Sequence, residues 1–279
     1  MTATKVESDW GSSFRLVAAE KWKAKSAAMG RDVTEALVNY AQPQAGMKVL
    51  DLASGTGEPA ITIASRIGPQ GHVTALDLSS ELLEITAERA RQRGLTNLSL
   101  QQADAHHLPF PDESFDLITS RFGVMFFEDC VGALREAHRV LKPGARACFV
   151  AWGPFEQPYW QSMMGVVVRH VGGPALAPGG PDPFKFAHSG SLSSVLRDAG
   201  FSEVDEQTQQ VPWTWPGKAE EVWEQARAVS TPFLPLLERV PAGQWDEINR
   251  EVHREINRYR EGDSIKFGAV VVLASGRKS

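Results

Sequence analysis

From residue 46 onward, short apolar runs alternate with stretches of helical periodicity. The runs at 49–53, 72–77, 98–103, 115–120 and 146–152 have the length and β-branched content of buried strands. Helical patterns occupy 59–67, 80–93 and 130–141 between them. The 80–93 segment opens on Ser79, Ser80 and Glu81, a hydroxyl cap with an acid in the first turn, and stops at Gly94. Neighbouring parallel strands need crossover connections, so this alternation predicts an α/β fold, a parallel sheet covered by helices on both faces.

The flanks are patterned differently. Residues 8–41 predict two helices, with Phe14, Val17 and Trp22 on one side of the first and Val33, Leu37 and Tyr40 on the second. Residues 153–190 are rich in Gly and Pro around one apolar helix at 159–171. A helix at 191–199, a strand within 201–213, a helical block at 217–262 and a last strand at 267–275 complete the reading. In that block Trp245, Ile248, Val252, Ile256 and Tyr259 recur at helical spacing, opposite Asp246, Arg250, Arg254 and Arg258.

Composition narrows the function classes. The 279 residues carry a formal net charge of −5 with no basic stripe, which argues against a broad nucleic-acid-binding face. Two cysteines, Cys130 and Cys148, sit among apolar neighbours and read as buried thiols. No apolar signal-peptide core opens the chain and no run approaches 18 apolar residues, so a soluble, cytoplasmic protein without a membrane partner is expected.

The chemistry concentrates in Val49-Leu50-Asp51-Leu52-Ala53-Ser54-Gly55-Thr56-Gly57-Glu58-Pro59-Ala60, a strand running through a glycine turn into a helix. Glycines let backbone approach a ligand, and the helix start offers unpaired N–H groups. The spacing Gly55-x-Gly57-x-x-Ala60 also satisfies the relaxed dinucleotide fingerprint, so an NAD-dependent oxidoreductase is a rival. Asp51, Asp77 and Asp104 end successive strands 26 and 27 residues apart. All three therefore point to the sheet edge where ligands of such folds bind. Carboxylates suit ribose hydroxyls, ammonium groups and exocyclic amines, each a hydrogen-bond donor. His106-His107 suggests a metal only at first glance: adjacent histidines point apart and no third ligand is near, so no metal is expected. His138, on the 130–141 helix, reads as a surface residue.

The segment 49–60 resembles motif I of class I S-adenosylmethionine-dependent methyltransferases, and Leu76-Asp77-Leu78-Ser79 resembles their motif II. Ala103-Asp104-Ala105, the run from Leu108 to Leu117, and Arg139-Val140-Leu141-Lys142-Pro143-Gly144 match the motifs that follow, in order. Within that superfamily the chain is most similar to the ubiquinone/menaquinone-biosynthesis type and related bacterial small-molecule methyltransferases. The resemblance implies a Rossmann-like sheet of seven strands, the last antiparallel, with a helical cap over the strand ends. It implies a single methyltransferase domain over 1–279, with a cofactor-binding core at 46–153, 189–216 and 264–278 and cap segments at 8–42, 155–188 and 217–262. S-adenosyl-L-methionine is the implied cofactor. Asp51 and the backbone of Ala53, Ser54, Gly55, Thr56 and Gly57 would face its methionine part, Asp77 its ribose, Leu78 its adenine ring, and Asp104 with Ala105 the adenine edge. Arg121, just past the fourth strand, is a cation for the cofactor carboxylate or the substrate, or else an outer salt bridge. Ala53 departs from the family pattern, standing where a glycine is common.

No catalytic residue stands out, because the sulfonium is already activated and alignment is the main task; His188, His170 and Tyr159 are candidate bases. A non-catalytic S-adenosylmethionine-binding protein and an RNA or protein methylase are further rivals. All eight tryptophans lie outside residues 23–151. Large aromatics thus gather in the expected cap, which predicts a hydrophobic, ring-containing small-molecule acceptor methylated on oxygen or carbon. Phe122, Met125, Phe126, Trp160, Phe186 and His188 are the candidate substrate residues.

Overall fold

The computed structural model describes residue 21 and residues 23–279; Trp10, Phe14, Val17 and Trp22 lie outside them. Five strands run parallel: β1 (Lys48–Leu52), β2 (His72–Asp77), β3 (Leu98–Gln102), β4 (Phe115–Arg121) and β5 (Leu141–Trp152). Then come β6 (Ser202–Pro216), a two-residue β7 (Arg260–Glu261) and β8 (Ser264–Arg277). The sheet order is β3-β2-β1-β4-β5-β8-β6, with β7 on β8. β8 is antiparallel to both neighbours, as expected for the last strand, and β7 adds a short eighth strand to the seven expected.

β1 carries Val49, Leu50, Asp51 and Leu52 with no exposed surface, the pattern of a central parallel strand covered on both sides. Helices α1 (Lys23–Met29) and α2 (Arg31–Ala41) precede it, and α2 packs against β4, β5, β6 and β8. α3 (Ala60–Ile67) and α4 (Ser80–Gln92) pack against β2 and β3, and α5 (Cys130–Val140) against β5. The Ser79 hydroxyl caps α4 as expected, accepting from the Leu82 N–H; Asp129 does the same for α5 through Gly132. The chain leaves β1 toward β2 on one side, and β4 lies on the other. That reversal opens a crevice at the carboxyl ends of the strands.

Three expectations change. The helix at 159–171 is two helices, α6 (Pro158–Gln161) and α7 (Met164–Val171), broken at Met163, whose φ of −121° and ψ of −81° are not helical. β5, expected from 146, begins at Leu141, directly after α5; Leu141 pairs with Phe115 and Arg146 with Leu117, so Lys142, Pro143 and Gly144 sit in a bulge. β6 and β8 are also much longer than expected. They stay paired from Ser202 with Arg277 to Pro216 with Ser264, while β5 ends at Trp152 opposite Val271. The two strands therefore project beyond the sheet and carry Trp213 and Trp215. α8 (Ser191–Asp198) packs on β6 and β8. After β6 come α9 (Ala219–Val229), whose Glu221 accepts from the Trp215 indole N–H at 3.2 Å, α10 (Leu234–Glu238) and α11 (Trp245–Asn257). α11 buries Ile248, Val252 and Ile256 and packs on α9 and α7. Among the described residues no helix is long and apolar enough to cross a membrane.

Candidate functional site

A cleft of about 200 Å³ opens at the carboxyl ends of β1, β2 and β3. Of the residues singled out in the sequence, Ala53, Gly55, Asp77, Leu78, Asp104, Ala105, Phe122 and Phe126 line it. The loop after β1 is fixed by its own bonds. The Ser54 N–H donates to the Leu76 carbonyl at 2.9 Å, and the Gly57 N–H to the Ser54 carbonyl at 2.9 Å. Arg89 on α4 donates to the Thr56 carbonyl at 2.9 Å.

Asp77 ties that loop to the second strand. One carboxylate oxygen accepts from the Gly55 N–H at 2.8 Å, the other from the Ser79 N–H at 3.0 Å. Leu78, next to it, is 48% exposed and lines the cleft, a large apolar side chain left open to a ligand.

Asp104 is organised by a residue that the sequence reading had set aside. One of its oxygens accepts from both the backbone N–H of His106, at 2.9 Å, and the His106 ring Nδ1, at 2.6 Å. The other oxygen has no hydrogen-bond partner among the described residues. Partial burial pushes this carboxyl up, but the two His106 bonds and the neighbouring imidazoles outweigh that effect and hold it below the usual range. His106 also lines the cleft, its ring edge against Phe127. The local signal was an acid followed two residues later by a side chain able to bond back. Among the described residues no group of three or more His, Cys, Asp or Glu could hold a metal ion.

Asp51 lies beneath the cleft, not on its wall. It is fully buried, accepts from the Thr119 hydroxyl at 2.7 Å and from the Ser54 hydroxyl, and so braces the loop from below. Burial pushes its carboxyl up to about 7, against the hydrogen bonds from Ser54 and Thr119 and the attraction of Arg121. Its folded form thus holds a proton more tightly than the unfolded chain does. The stability this contributes is complete below about pH 4 and is lost as pH rises through about 7. Urea unfolding of Asp51→Asn beside the parent should show the variant gaining, relative to the parent, between pH 4 and pH 8, by up to a few kcal/mol. A difference that stays constant across that range would refute the assignment.

Arg121 ends β4 instead of following it. Its Nε donates to the Glu58 carbonyl at 3.2 Å, and its terminal nitrogens have no hydrogen-bond partner among the described residues. Burial lowers its pKa, while Glu58 and Asp51 nearby raise it. The packing is close: a Cβ on Gly30 would stand 2.7 Å from its Nη1. Beyond it, Phe122 has φ +59°, unusual for a bulky residue, and its N–H donates to the Val150 carbonyl at 2.9 Å. Ala53 also lies in the left-handed region, at φ +52°. The departure from glycine is accommodated by Gly123, where a Cβ would come 2.6 Å from the Ala53 methyl. That spacing needs glycine at 123.

The remaining candidates are elsewhere. Ser54, Thr56 and Gly57 shape the loop without lining the cleft, and Met125 is buried below it. Trp160 and Phe186 are core residues, Trp160 stacking on Phe233 at 5.2 Å. His188 is exposed. His170 is bound to Glu251 at 2.7 Å, and His138 is half-buried with its edge on Phe201, not a free surface residue. The sequence reading missed Leu76, Leu82, Ala103, His106, Gly123 and Phe127, all on the cleft wall.

The profile of the ubiE/COQ5 methyltransferase family matches residues 24–169, the span that contains every strand end of the cleft. The chain belongs to the ubiE/COQ5 methyltransferase family. It is 35% identical over 172 residues to the demethylmenaquinone methyltransferase of Listeria welshimeri, covering 58% of this chain and 72% of that one. With the Listeria monocytogenes enzyme of the same name the identity is 39%, over 46% of this chain and 54% of that one, so the alignment spans only about half of that relative. The ubiquinone/menaquinone biosynthesis C-methyltransferase of Rhizobium meliloti is 35% identical, over 56% and 65%. Among solved structures, the YcgJ protein of Bacillus subtilis superposes with a TM-score of 0.56 at 22% identity, over 88% of this chain and 97% of that one, which supports the fold. As a member of the ubiE/COQ5 family, the chain is a methyltransferase that uses S-adenosylmethionine.

Proposed function

We propose that the cleft holds S-adenosylmethionine, with its adenine over Leu78, its ribose hydroxyls donating to Asp77 and its exocyclic amine donating to the open oxygen of Asp104. The observation that carries this reading is the pair of carboxylates, Asp77 and Asp104, on a cleft whose wall, His106 apart, is made by apolar groups such as Leu82, Phe126 and Phe127 and by backbone. Two acids there match the donors of a nucleoside and nothing anionic. The terminal nitrogens of Arg121 take the cofactor's carboxylate. Asp51 acts through Ser54, holding the loop in register, and does not touch the cofactor. Helices α6, α7, α9, α10 and α11 form a cap over the strand ends, on a core made by the sheet.

The acceptor in this reading is a small hydrophobic molecule with an oxygen-bearing aromatic ring, a reduced form of the quinones named for the relatives, and it is methylated on a ring carbon. Its reacting atom is held in line with the sulfonium methyl. Alignment of this kind supplies up to about 7–11 kcal/mol, while a general base adds a factor of roughly 10²–10⁴, so the chemistry does not demand a conspicuous base. An aromatic wall at Phe122 suits both partners, since a ring face attracts a cationic sulfonium and packs against a flat acceptor.

The test is a panel of acceptors graded by polarity and assayed with methyl-labelled cofactor. Label should enter a reduced naphthoquinol with a prenyl side chain, and should not enter amines, amino acids or RNA. Labelling confined to the polar group would refute the acceptor class.

A further inference from the structure

Asp104 and His106 stand on a wall shared by two depressions. One is the cleft; the other, of about 490 Å³, is lined by the same pair with His107, Glu128, Asp129 and Gly132. The Asp104 side chain is 45% exposed and belongs to the loop after β3. An aspartate on its own in such a loop turns easily about its last side-chain bond and offers either oxygen to water. Two bonds to His106 prevent that. The backbone N–H, at 2.9 Å, and the ring Nδ1, at 2.6 Å, both reach the same oxygen. The backbone bond alone is the local turn that many aspartates make. The ring adds a second donor to a charged acceptor, the stronger kind of bond. Because the carboxyl is held below its usual range, Asp104 is ionised and accepts only, and the proton of the shared bond lies on Nδ1.

The imidazole is fixed on its other side as well. It meets Phe127 edge-on, with centroids 6.0 Å apart and planes at 68°, and its Nε2 is buried with no hydrogen-bond partner. All the polar contact of the ring therefore goes to Asp104. Packing of the wall explains the ring's place beside Phe127, but an apolar side chain would serve that purpose equally.

We infer that His106 makes the cleft selective for adenine over hypoxanthine, by holding one oxygen of Asp104 so that the other is a fixed acceptor. The inference rests on the placement of the adenine proposed above and adds the residue that makes the acid selective. The exocyclic amine of adenine donates to the open oxygen. Hypoxanthine carries a carbonyl in place of the amine, which brings lone pairs against an ionised acceptor, and the carboxylate loses water without gaining a donor. Without the imidazole the carboxylate turns, its oxygens exchange roles and water follows it, so the carbonyl no longer meets a fixed opposing group. His106 is a positioning residue: it acts through Asp104 and needs no contact with the base.

The test compares affinities for S-adenosylhomocysteine and S-inosylhomocysteine, in which the amine is replaced by a carbonyl. The proteins are the parent, His106→Phe, His106→Asn and Asp104→Ala. Phe fills the wall without a donor, whereas Asn places an amide N–H about where Nδ1 stands. The parent should prefer S-adenosylhomocysteine by about a hundredfold. His106→Phe should lose about tenfold of that preference, and His106→Asn should keep it to within about threefold. A purely structural role would weaken both ligands alike and leave the ratio unmoved. If His106→Phe keeps the parent's ratio, or His106→Asn does not restore it, the inference is overturned; the placement of the adenine stands so long as Asp104→Ala abolishes the preference. If the parent does not discriminate, or Asp104→Ala discriminates as the parent does, the amine is not on Asp104, and the placement falls with the inference. Should His106→Phe fail to fold, His106→Leu, likewise without a donor, takes its place under the same outcomes.

Discussion

Replacing Asp77 with Ala should cost at least a hundredfold in affinity for S-adenosylhomocysteine, more than the loss of one ribose contact would give. The reason is the double duty of the carboxylate. It holds the Gly55 N–H at 2.8 Å and the Ser79 N–H at 3.0 Å while lining the cleft. Hydrogen bonds to a charged group contribute about 1.5–3 kcal/mol each, and removing the carboxylate orphans the Gly55 donor beneath the cofactor. The glycine loop then loses its tether to β2 at the same moment as the ribose loses its acceptor. Asp77→Asn separates the two effects. Its amide oxygen can still accept from one N–H, so the loop should hold better while the bonds become neutral and weaker. Calorimetry on folded variants should rank the parent above Asn and Asn above Ala. Equal affinities for all three would remove Asp77 from the site.

Gly57→Ala should destabilise the protein by roughly 2–6 kcal/mol, while Gly55→Ala costs about 1 kcal/mol. Gly57 has φ +107°, a conformation L side chains rarely adopt, and an added Cβ would stand 2.5 Å from Ile61 Cδ1 and 3.1 Å from Thr86 Cγ2. Backbone strain and overpacking therefore act together. Gly55 has φ +56°, inside the left-handed region other residues visit, and nothing lies within 4 Å of the same added atom. Ala53 already occupies that region two residues earlier. Denaturant midpoints for the two variants decide the matter. A Gly57 variant as stable as the Gly55 variant would mean that the loop is not held as described.

Much of this arrangement is legible in the sequence because it rests on local rules. Apolar runs that end in an acid or a glycine turn mark strand ends, and parallel topology brings Asp77 and Asp104 to one edge without knowledge of the packing. What is not legible depends on neighbours distant in sequence. A strand within 201–213 is legible, but its extension to Pro216 is set by β8, which pairs with it as far as Ser264. The run at 159–171 is mostly apolar on both sides of Gln161 and Ser162, so its pattern does not mark the break at Met163. Aromatic residues are the hardest case. Trp160 and Phe186 are indistinguishable by pattern from Phe122 and Phe126, yet the first two fill the core and the others face the cleft. His106 is different in kind: its bond to Asp104 spans two residues and could have been foreseen from local turn chemistry.

The account stands or falls on where the cofactor lies. A crystal structure of the protein with S-adenosylhomocysteine tests this most directly. The account requires the ribose hydroxyls within hydrogen-bond distance of Asp77, the adenine against Leu78 with its amine on the oxygen of Asp104 that His106 leaves open, and the carboxylate at Arg121. Cofactor bound away from this cleft, or lying in it with the adenine at Arg121 and the carboxylate at Asp104, would contradict it.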